Sequence, residues 1–276
     1  MNDLFPITDP NRSHGCRIQE NIIWQGMKAL IVQNDIIQIV ILVDKGTEIV
    51  QFLHKPTDTD FIWHGRNELH DPATFIPVGG TDATPFFDRW SGGWFEIVPN
   101  NGPGCDYRNA HLGFYGEVVN IPWHYQILED HPEQVSIAFW VKTYRMPFLL
   151  RKKMTLRSNS GCLQIEEQLT NLGNEKLDFA WGHHPVIGSP FLDSSCRISA
   201  PKCKVIVGSD EDGPGYRMKL FQEADWPIIE DVNNKPMDLR VMPSKEFRSM
   251  DNCYLTSFEK EAFISVTNFN RNVGFG

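Results

Sequence analysis

The side chains with the most potential for chemistry lie between positions 93 and 123. Aromatic residues stand there beside carboxylates and carboxamides: Trp94, Phe95, Phe114, Tyr115 and Trp123 with Glu96, Asn100, Asn101 and Glu117. Flat aromatic rings cover the apolar faces of a pyranose, and fixed amides and carboxylates bind its hydroxyls. This combination predicts a sugar-binding site. The alternative is a long loop whose aromatic side chains only cap a hydrophobic core.

A second candidate is the adjacent pair His183 and His184, which joins a predicted strand to Pro185. Neighbouring side chains on an extended backbone point to opposite faces, so the two histidines cannot easily chelate one metal ion. His184 shares its face with the small residues Ala180 and Gly182, which leave room for a ligand. Its unperturbed pKa of about 6.5 suits proton transfer near neutrality. We predict His184 as the chemical histidine and His183 as a packing or orienting one; a hydrogen-bonded histidine at a strand end is the alternative.

The backbone that presents these side chains is predicted to consist of short strands. Residues 36–43 are almost continuously apolar, as in a strand covered on both faces, and residues 44–46 predict a tight turn into a strand at 47–54. Residues 162–170 alternate between apolar and polar positions, with Glu167 on the apolar side. We interpret Glu167 as the end of a strand that leaves the core. Helical periodicity is nearly absent, and this pattern indicates an all-β antiparallel sandwich or barrel.

The 93–123 segment is predicted to be a loop. Its residues Asn100, Asn101, Gly102, Pro103 and Gly104 weaken a β ladder and favour turns.

Composition excludes several classes of partner. The chain has 276 residues, a net charge of -9 and six cysteines. An acidic chain is unsuited to nucleic acid or an anionic membrane surface, and no apolar run approaches the ~20 residues that span a bilayer. The start of the chain lacks a basic region followed by an apolar one. We therefore expect a cytoplasmic protein with reduced thiols, and no structural zinc site because no Cys-x-x-Cys pair occurs.

Four strings of residues together resemble the aldose 1-epimerase (galactose mutarotase-like) superfamily. They are Gly-Trp-Phe-Glu-Ile-Val-Pro-Asn-Asn-Gly-Pro at 93–103, Leu-Gly-Phe-Tyr-Gly-Glu at 112–117, Gly-His-His-Pro at 182–185 and Met-Asp-Asn-Cys-Tyr-Leu at 250–255. They occur in the family's order, and the first and third are fairly specific. The resemblance implies a large antiparallel β-sandwich of the supersandwich type, formed by residues 1–276 as a single domain, with an open cleft for a monosaccharide.

The resemblance also implies roles for individual residues. The family's general acid, a histidine before proline, matches His184, and an aspartate that binds sugar hydroxyls matches Asp251. Where the family often has a second histidine, this chain has Tyr115, which donates a hydrogen bond but carries protons poorly at pH 7 because its pKa is near 10. The predicted substrate-binding set is completed by Asn100, Glu117, Glu96 and His183.

The family's general base is a glutamate on a strand beyond the segment that matches residues 262–276. No Asp or Glu follows Glu261 in this chain. We therefore expect a chain truncated by a strand or more that lacks the family's base. Glu96 and Glu117 are the carboxylates near the predicted cleft that could replace it, but nothing in the sequence places either opposite His184.

The implied reaction is interconversion of the α and β anomers of a neutral monosaccharide, in which a base removes the C1 hydroxyl proton while an acid protonates the ring oxygen. No cofactor or metal is needed, and we expect a monomer or weak homodimer. The rival is a non-catalytic carbohydrate-binding protein on the same fold, which the absent base favours. A glycosidase would need two carboxylates at a set distance, and a phosphosugar would need more basic residues than Arg89 and Arg108 near the loop.

Overall fold

The computed structural model describes residues 12–209, 213, 215–244 and 246–276. Contacts within the chain divide it into two compact units, one that ends at Gly188 and one that comprises Ser189–Gly276. Each unit is described by itself, and the single domain expected from the sequence stays a prediction.

The first unit consists mainly of antiparallel strands. Among its described residues the strands are β1 (Arg17–Trp24), β2 (Met27–Gln33), β3 (Ile37–Leu42), β4 (Glu48–His54), β5 (Thr59–Asp60), β6 (Trp94–Ile97), β7 (Cys105–Tyr107), β8 (Ala110–Leu112), β9 (His124–Asp130), β10 (Gln134–Lys142), β11 (Phe148–Arg157), β12 (Leu163–Asn171) and β13 (Gly182–Pro185). Its helices are the short α1 (Thr84–Phe87) and two 3-10 turns at Lys55–Thr57 and Val118–Asn120.

The larger sheet of this unit has seven strands in the order β1-β2-β3-β4-β6-β13, with β5 paired to β4. The predicted hairpin at 44–46 is confirmed, because β3 and β4 pair antiparallel on either side of it. Consecutive residues of β3 are buried, from Ile39 to Leu42, so this strand is covered on both faces as predicted.

The smaller sheet has the order β12-β11-β10-β9. Lys152 on its inner face contacts Thr47 and Glu96, beside and within the larger sheet. Contacts across the interior include a salt bridge from Lys152 on β11 to Glu96 on β6. The result is the antiparallel β-sandwich predicted from the sequence. The interpretation of Glu167 as a strand end is wrong: it lies in the middle of β12, in register with Lys152.

Residues that precede and follow β6, between positions 84 and 119, cover the outer face of the larger sheet at this strand. Phe86 from α1 and Val119 pack there with Phe95 and Ile97 in one buried cluster. The prediction of a loop over 93–123 is wrong for much of that segment, because it contains β6, β7, β8 and the 3-10 turn at Val118–Asn120. Residues 100–104 do form a loop, since no strand or helix covers those five residues. Gly93 has φ +88 beside this strand, and a Cβ there would lie 2.1 Å from Oε1 of Glu48, so only glycine fits.

The second unit contains smaller sheets. Its strands are β14 (Cys196–Ser199), β15 (Lys204–Ile206), β16 (Glu223–Asp225), β17 (Ile228–Glu230), β18 (Pro236–Asp238), β19 (Tyr254–Thr256), β20 (Ser265–Asn268) and β21 (Val273–Phe275). They form the sheets β14-β20-β21, β16-β15-β19 and β17-β18. Val205, Val207, Met218 and Ile229 form a buried core in this unit.

All six cysteines are free thiols in the structure. Burial raises the pKa of Cys16 to about 11. Within the described residues, no helix has the length and apolar character to cross a membrane.

Candidate functional site

Strand β13 carries both predicted histidines at the edge of the larger sheet. It pairs with β6 so that His184 lies opposite Phe95 and His183 lies opposite Glu96. Side chains alternate between faces along a strand, so His184 shares a face with Phe95 while His183 and Glu96 share the other. The two histidines therefore belong to separate environments, as the extended backbone predicted.

The ring of His184 lies in an aromatic setting. It stacks on Phe95 with ring centroids 4.7 Å apart and an interplanar angle of 10°, and its centroid is 5.4 Å from that of Tyr115. Its Nδ1 is buried and has no hydrogen-bond partner among the described residues. Burial lowers the pKa of His184 below its usual value, because an apolar setting disfavours the imidazolium. The ring is thus mostly neutral at neutral pH.

A cavity of about 200 Å³ opens beside this histidine. It is smaller than the pockets of about 300 to 1,000 Å³ that hold drug-sized ligands, and a compact ligand such as one sugar ring suits it better. The lining residues are Ile97, Asn101, Ala180, Trp181, Gly182, His183 and His184. The small residues Ala180 and Gly182 form part of this lining, together with Trp181 and His183 from the opposite side of the backbone.

Tyr115 lies next to His184, and its backbone conformation is strained. Its φ is +59, its amide donates to the carbonyl of Gly102 at 3.0 Å, and its ring meets Phe86 edge to face at 5.0 Å. Gly116 follows with φ +79, where a Cβ would lie 2.1 Å from the carbonyl oxygen of Val98. Burial raises the pKa of Tyr115 above its usual value, so this phenol is a hydrogen-bond donor at neutral pH.

Asn100 holds its own loop together. Its Nδ2 donates to the carbonyl of Gly113 at 2.9 Å and more weakly to that of Pro103 at 3.4 Å. Its Oδ1 is buried without a partner in the described part of the chain. The structure therefore gives Asn100 a structural task, and its predicted contact with a sugar hydroxyl stays a prediction.

The carboxylate of Glu117 is hydrogen-bonded to the backbone of a turn. Its Oε2 accepts from the amides of Tyr144 and Arg145 at 2.6 and 2.9 Å, and its Oε1 accepts from the amide of Met146 at 3.2 Å. Both oxygens are thus used to satisfy the backbone donors of this turn. Its predicted role in binding substrate is not tested by these contacts, but they occupy the carboxylate.

Glu96 points into the interior of the sandwich. Its Oε2 lies 3.0 Å from Nζ of Lys152, and its Oε1 accepts from Nε1 of Trp181 at 2.8 Å. Lys152 also donates to Oγ1 of Thr47 at 2.6 Å, and its ammonium lies 4.6 Å from the ring centroid of Trp123. Trp123 is therefore a buried partner of Lys152, and not a wall of the cavity.

His183 is fully engaged on the same interior face. Its Nδ1 accepts from Nε1 of Trp94 at 3.2 Å, and its Nε2 lies 2.8 Å from Oε2 of Glu167. Since an indole only donates, these contacts assign a neutral ring with its proton on Nε2. Burial opposes the charged form of Glu167, but the hydrogen bond from His183 and the charge of Lys152 outweigh it and lower the pKa of this carboxyl.

Glu96, Glu167 and His183 offer ligand atoms within 4.8 Å of one another, a spacing that suits a metal ion. The ammonium of Lys152 already supplies a positive charge to Glu96. Both nitrogens of His183 have partners as well. Because a metal would have to displace these contacts and face the ammonium, we interpret the cluster as an ion-pair and hydrogen-bond network.

Asp251 lies in the second unit and binds Arg217. Its Oδ1 accepts from the Arg217 amide at 2.9 Å and its Oδ2 accepts from Nε at 2.7 Å. The carboxylate side chain is 10% exposed. Its predicted contact with sugar hydroxyls stays a prediction.

Sequence reasoning missed the partners of this network. Lys152 follows Phe148 and Leu150 at the alternate, inward-facing positions of β11 and is buried. A lysine at an inward position signals a buried partner, because an unpaired charge in the core is costly. Glu167 gave the same signal on β12. Reading the two breaks in alternation together would have predicted an ion-pair network between the sheets.

Comparison with known proteins finds a matching family model and solved structures that are similar in fold to this chain. A family model described as a domain of unknown function (DUF4432) matches residues 24–238. A candidate aldose 1-epimerase from Klebsiella pneumoniae is similar in structure, with a TM-score of 0.58 and 15% identity over 74% of this chain and 53% of the other. A galactose mutarotase-like protein from Clostridium acetobutylicum has a TM-score of 0.50 and 15% identity over 94% and 80%.

The chain thus spans about half the length of the Klebsiella protein, at 53%. Identities this low establish a shared fold, and that fold is the galactose mutarotase-like β-sandwich. No curated protein matches the sequence.

Proposed function

The chain belongs to the DUF4432 family, and we propose that it binds a neutral monosaccharide beside His184 and interconverts the sugar's α and β anomers by acid/base ring opening. The observation that carries the proposal is the position of His184, which lines the 200 Å³ cavity and whose ring centroid lies 5.4 Å from that of Tyr115. The aldose 1-epimerase description of the Klebsiella protein, which shares the fold, supports the same reaction class.

In the proposed mechanism His184 protonates the ring oxygen while a base removes the proton of the C1 hydroxyl. The bond between C1 and the ring oxygen breaks, the aldehyde forms, the C1–C2 bond rotates, and closure with reversed proton transfers yields the other anomer. Tyr115 supports the acid as a hydrogen-bond donor. Protein acid and base suffice, so no cofactor is required.

The base is not assigned to either carboxylate of the 93–123 segment. Glu96 binds Lys152 and Trp181 on the opposite face of the sheet from His184. Both carboxylate oxygens of Glu117 accept hydrogen bonds from the backbone amides of residues 144–146. This observation specifically favours a second candidate function, a carbohydrate-binding protein without catalysis. Further parts of the proposal are sugar contacts by Asn100 and Asp251, a monomeric or weakly dimeric state and a cytoplasmic location.

Polarimetry separates the two functions. Freshly dissolved α-D-glucose or α-D-galactose is followed to anomeric equilibrium with and without protein, and titration calorimetry measures binding of the same sugars. Acceleration above the spontaneous rate supports the isomerase. Binding without acceleration supports the carbohydrate-binding protein and contradicts the isomerase, and the absence of both contradicts the sugar site itself.

A further inference from the structure

The outer face of the smaller sheet carries a second cavity, of about 390 Å³, on the side away from the sandwich interior. Side chains at alternate positions of a strand share a face, and here they come from all four strands. The outward-facing lining residues are Gln126, Leu128, Ala138, Trp140, Arg151, Lys153, Glu166 and Gln168. The volume falls within the range of about 300 to 1,000 Å³ typical of small-molecule pockets.

The floor of this cavity is apolar, which is unusual for a solvent-facing sheet. Trp140 is half-buried and stacks on His124, with centroids 5.7 Å apart and an angle of 25°. Leu128 is 46% exposed. Ala138 precedes Trp140 by two positions on the same face, and its small side chain leaves the space between Trp140 and Leu128 open. An indole beside an open depression is a platform for the face of a sugar ring.

The cavity contains the guanidinium of Arg151. Arg151 is the cross-strand neighbour of Trp140 and of Gln168. Among the described residues it forms no ion pair, whereas Lys153 lies 3.5 Å from Glu166. The cavity therefore has one positive charge in excess, in a chain whose net charge is -9. A free guanidinium matches a carboxylate in geometry as well as in charge.

We propose that this face binds a carboxylated pyranose, a hexuronate residue, as a site separate from the one beside His184. The ring of Trp140 covers an apolar face of the sugar, and Arg151 binds its carboxylate through paired N–H donors. The carboxamides of Gln126 and Gln168, on the two outer strands, flank the platform and bind hydroxyls. The site does not depend on the anomer exchange proposed above.

The test is titration calorimetry of the full chain with D-galacturonate, with D-galactose as the uncharged comparison. Binding of galacturonate about tenfold tighter than that of galactose is expected, because the guanidinium adds paired charge-assisted hydrogen bonds to the carboxylate. Arg151→Gln is expected to abolish this preference, because it removes the charge from an exposed position and keeps a polar side chain.

Arg157→Gln is the matched control. Arg157 lies on the same strand and face, and its guanidinium donates to Gln164 outside the cavity; this variant is expected to bind like the unmodified chain. Trp140→Ala should weaken binding of galacturonate by up to about tenfold, because the ring that covers the sugar face is lost, with circular dichroism as the check on folding. Trp140→Phe, which keeps a ring, should bind more tightly than Trp140→Ala.

Three results overturn the proposal: no binding of galacturonate at millimolar concentration, equal affinity for galactose, or unchanged affinity in Arg151→Gln. A His184→Ala chain that keeps its galacturonate affinity supports the separateness of the two sites. Loss of that affinity in His184→Ala, with affinity retained in Arg151→Gln, places the ligand beside His184 and contradicts the second site.

Discussion

His183 and His184 are adjacent in sequence, yet their rings lie on opposite faces of the larger sheet. The ring of His184 stacks on Phe95 at 4.7 Å and lies beside Tyr115. The ring of His183 lies between Trp94 and Glu167, and both of its nitrogens have partners. The first imidazole is available to a ligand, and the second holds β13 to the smaller sheet. The predictions below follow from this division.

Replacing His184 by alanine should abolish most of the proposed anomer exchange. Removal of a general acid typically lowers a rate by about 10² to 10⁴, and polarimetry measures this directly. His131→Ala, at an exposed turn between β9 and β10, is the matched control and should leave the rate unchanged. An unimpaired His184→Ala enzyme would remove this histidine from the mechanism.

The rate should rise as the pH falls below 6.5. Burial lowers the pKa of His184, so the acid form becomes populated only below the ordinary histidine pKa of about 6.5. A profile of kcat/KM between pH 4.5 and 8, corrected for the spontaneous reaction, reports this free-enzyme group. A rate that instead falls with acidification would show that neutral His184 is the active form, acting as the base.

Lys152→Met should strongly destabilise the first unit. It leaves the buried carboxylate of Glu96 without its cationic partner, and breaking a buried pair in this way costs about 3–5 kcal/mol. Urea unfolding measures the loss. The exposed neighbour Lys153 offers the control Lys153→Met, expected within about 0.5 kcal/mol of the unmodified chain. The double variant Lys152→Met with Glu96→Gln should recover part of the loss, and no recovery would argue against the pair.

Glu167→Gln should be better tolerated than Glu167→Ala. The neutral His183 assigned by Trp94 needs only an acceptor for its Nε2 proton, which glutamine keeps and alanine removes. The His183 side chain is 28% exposed, so losing this acceptor should cost only about 0.5–1.5 kcal/mol, the net contribution of an ordinary hydrogen bond, measured by urea unfolding and by hydrogen exchange of the β13 amides. Equal damage from both variants would mean that His183 is charged and paired with the carboxylate. Glu166→Ala, on the outer face, is the control.

Gly93→Ala should destabilise the chain far more than Gly102→Ala. Both glycines have positive φ, at +88 and +72, so both substitutions introduce backbone strain of about 1 kcal/mol or more. Of these two positions, only at Gly93 does the new Cβ collide with a neighbour, Oε1 of Glu48 at 2.1 Å; at Gly102 no atom of the described residues lies within 4 Å. Thermal unfolding of the two variants isolates the collision, and equal losses would contradict the close approach.

The fold class and the direction of many side chains follow from the sequence alone. Alternation along 162–170 predicted which residues of β12 face inward, and the extended backbone at β13 predicted that His183 and His184 point apart. Both results are local, because a strand's pleat repeats every two residues whatever it packs against. The resemblance in four strings, including residues 93–103 and 182–185, indicated the sandwich that the structural comparisons then showed.

Which groups meet was decided only by the tertiary structure. Pairing of β13 with β6 placed His184 on Phe95, 89 positions away in sequence. Packing of the two sheets brought Glu96 into an ion pair with Lys152. The backbone amides of the turn at 144–146 became the hydrogen-bond donors to the carboxylate of Glu117. Periodicity sets the face on which a side chain lies. It does not set which strand becomes its neighbour or what covers that face, because those depend on strand pairings between segments far apart in the chain.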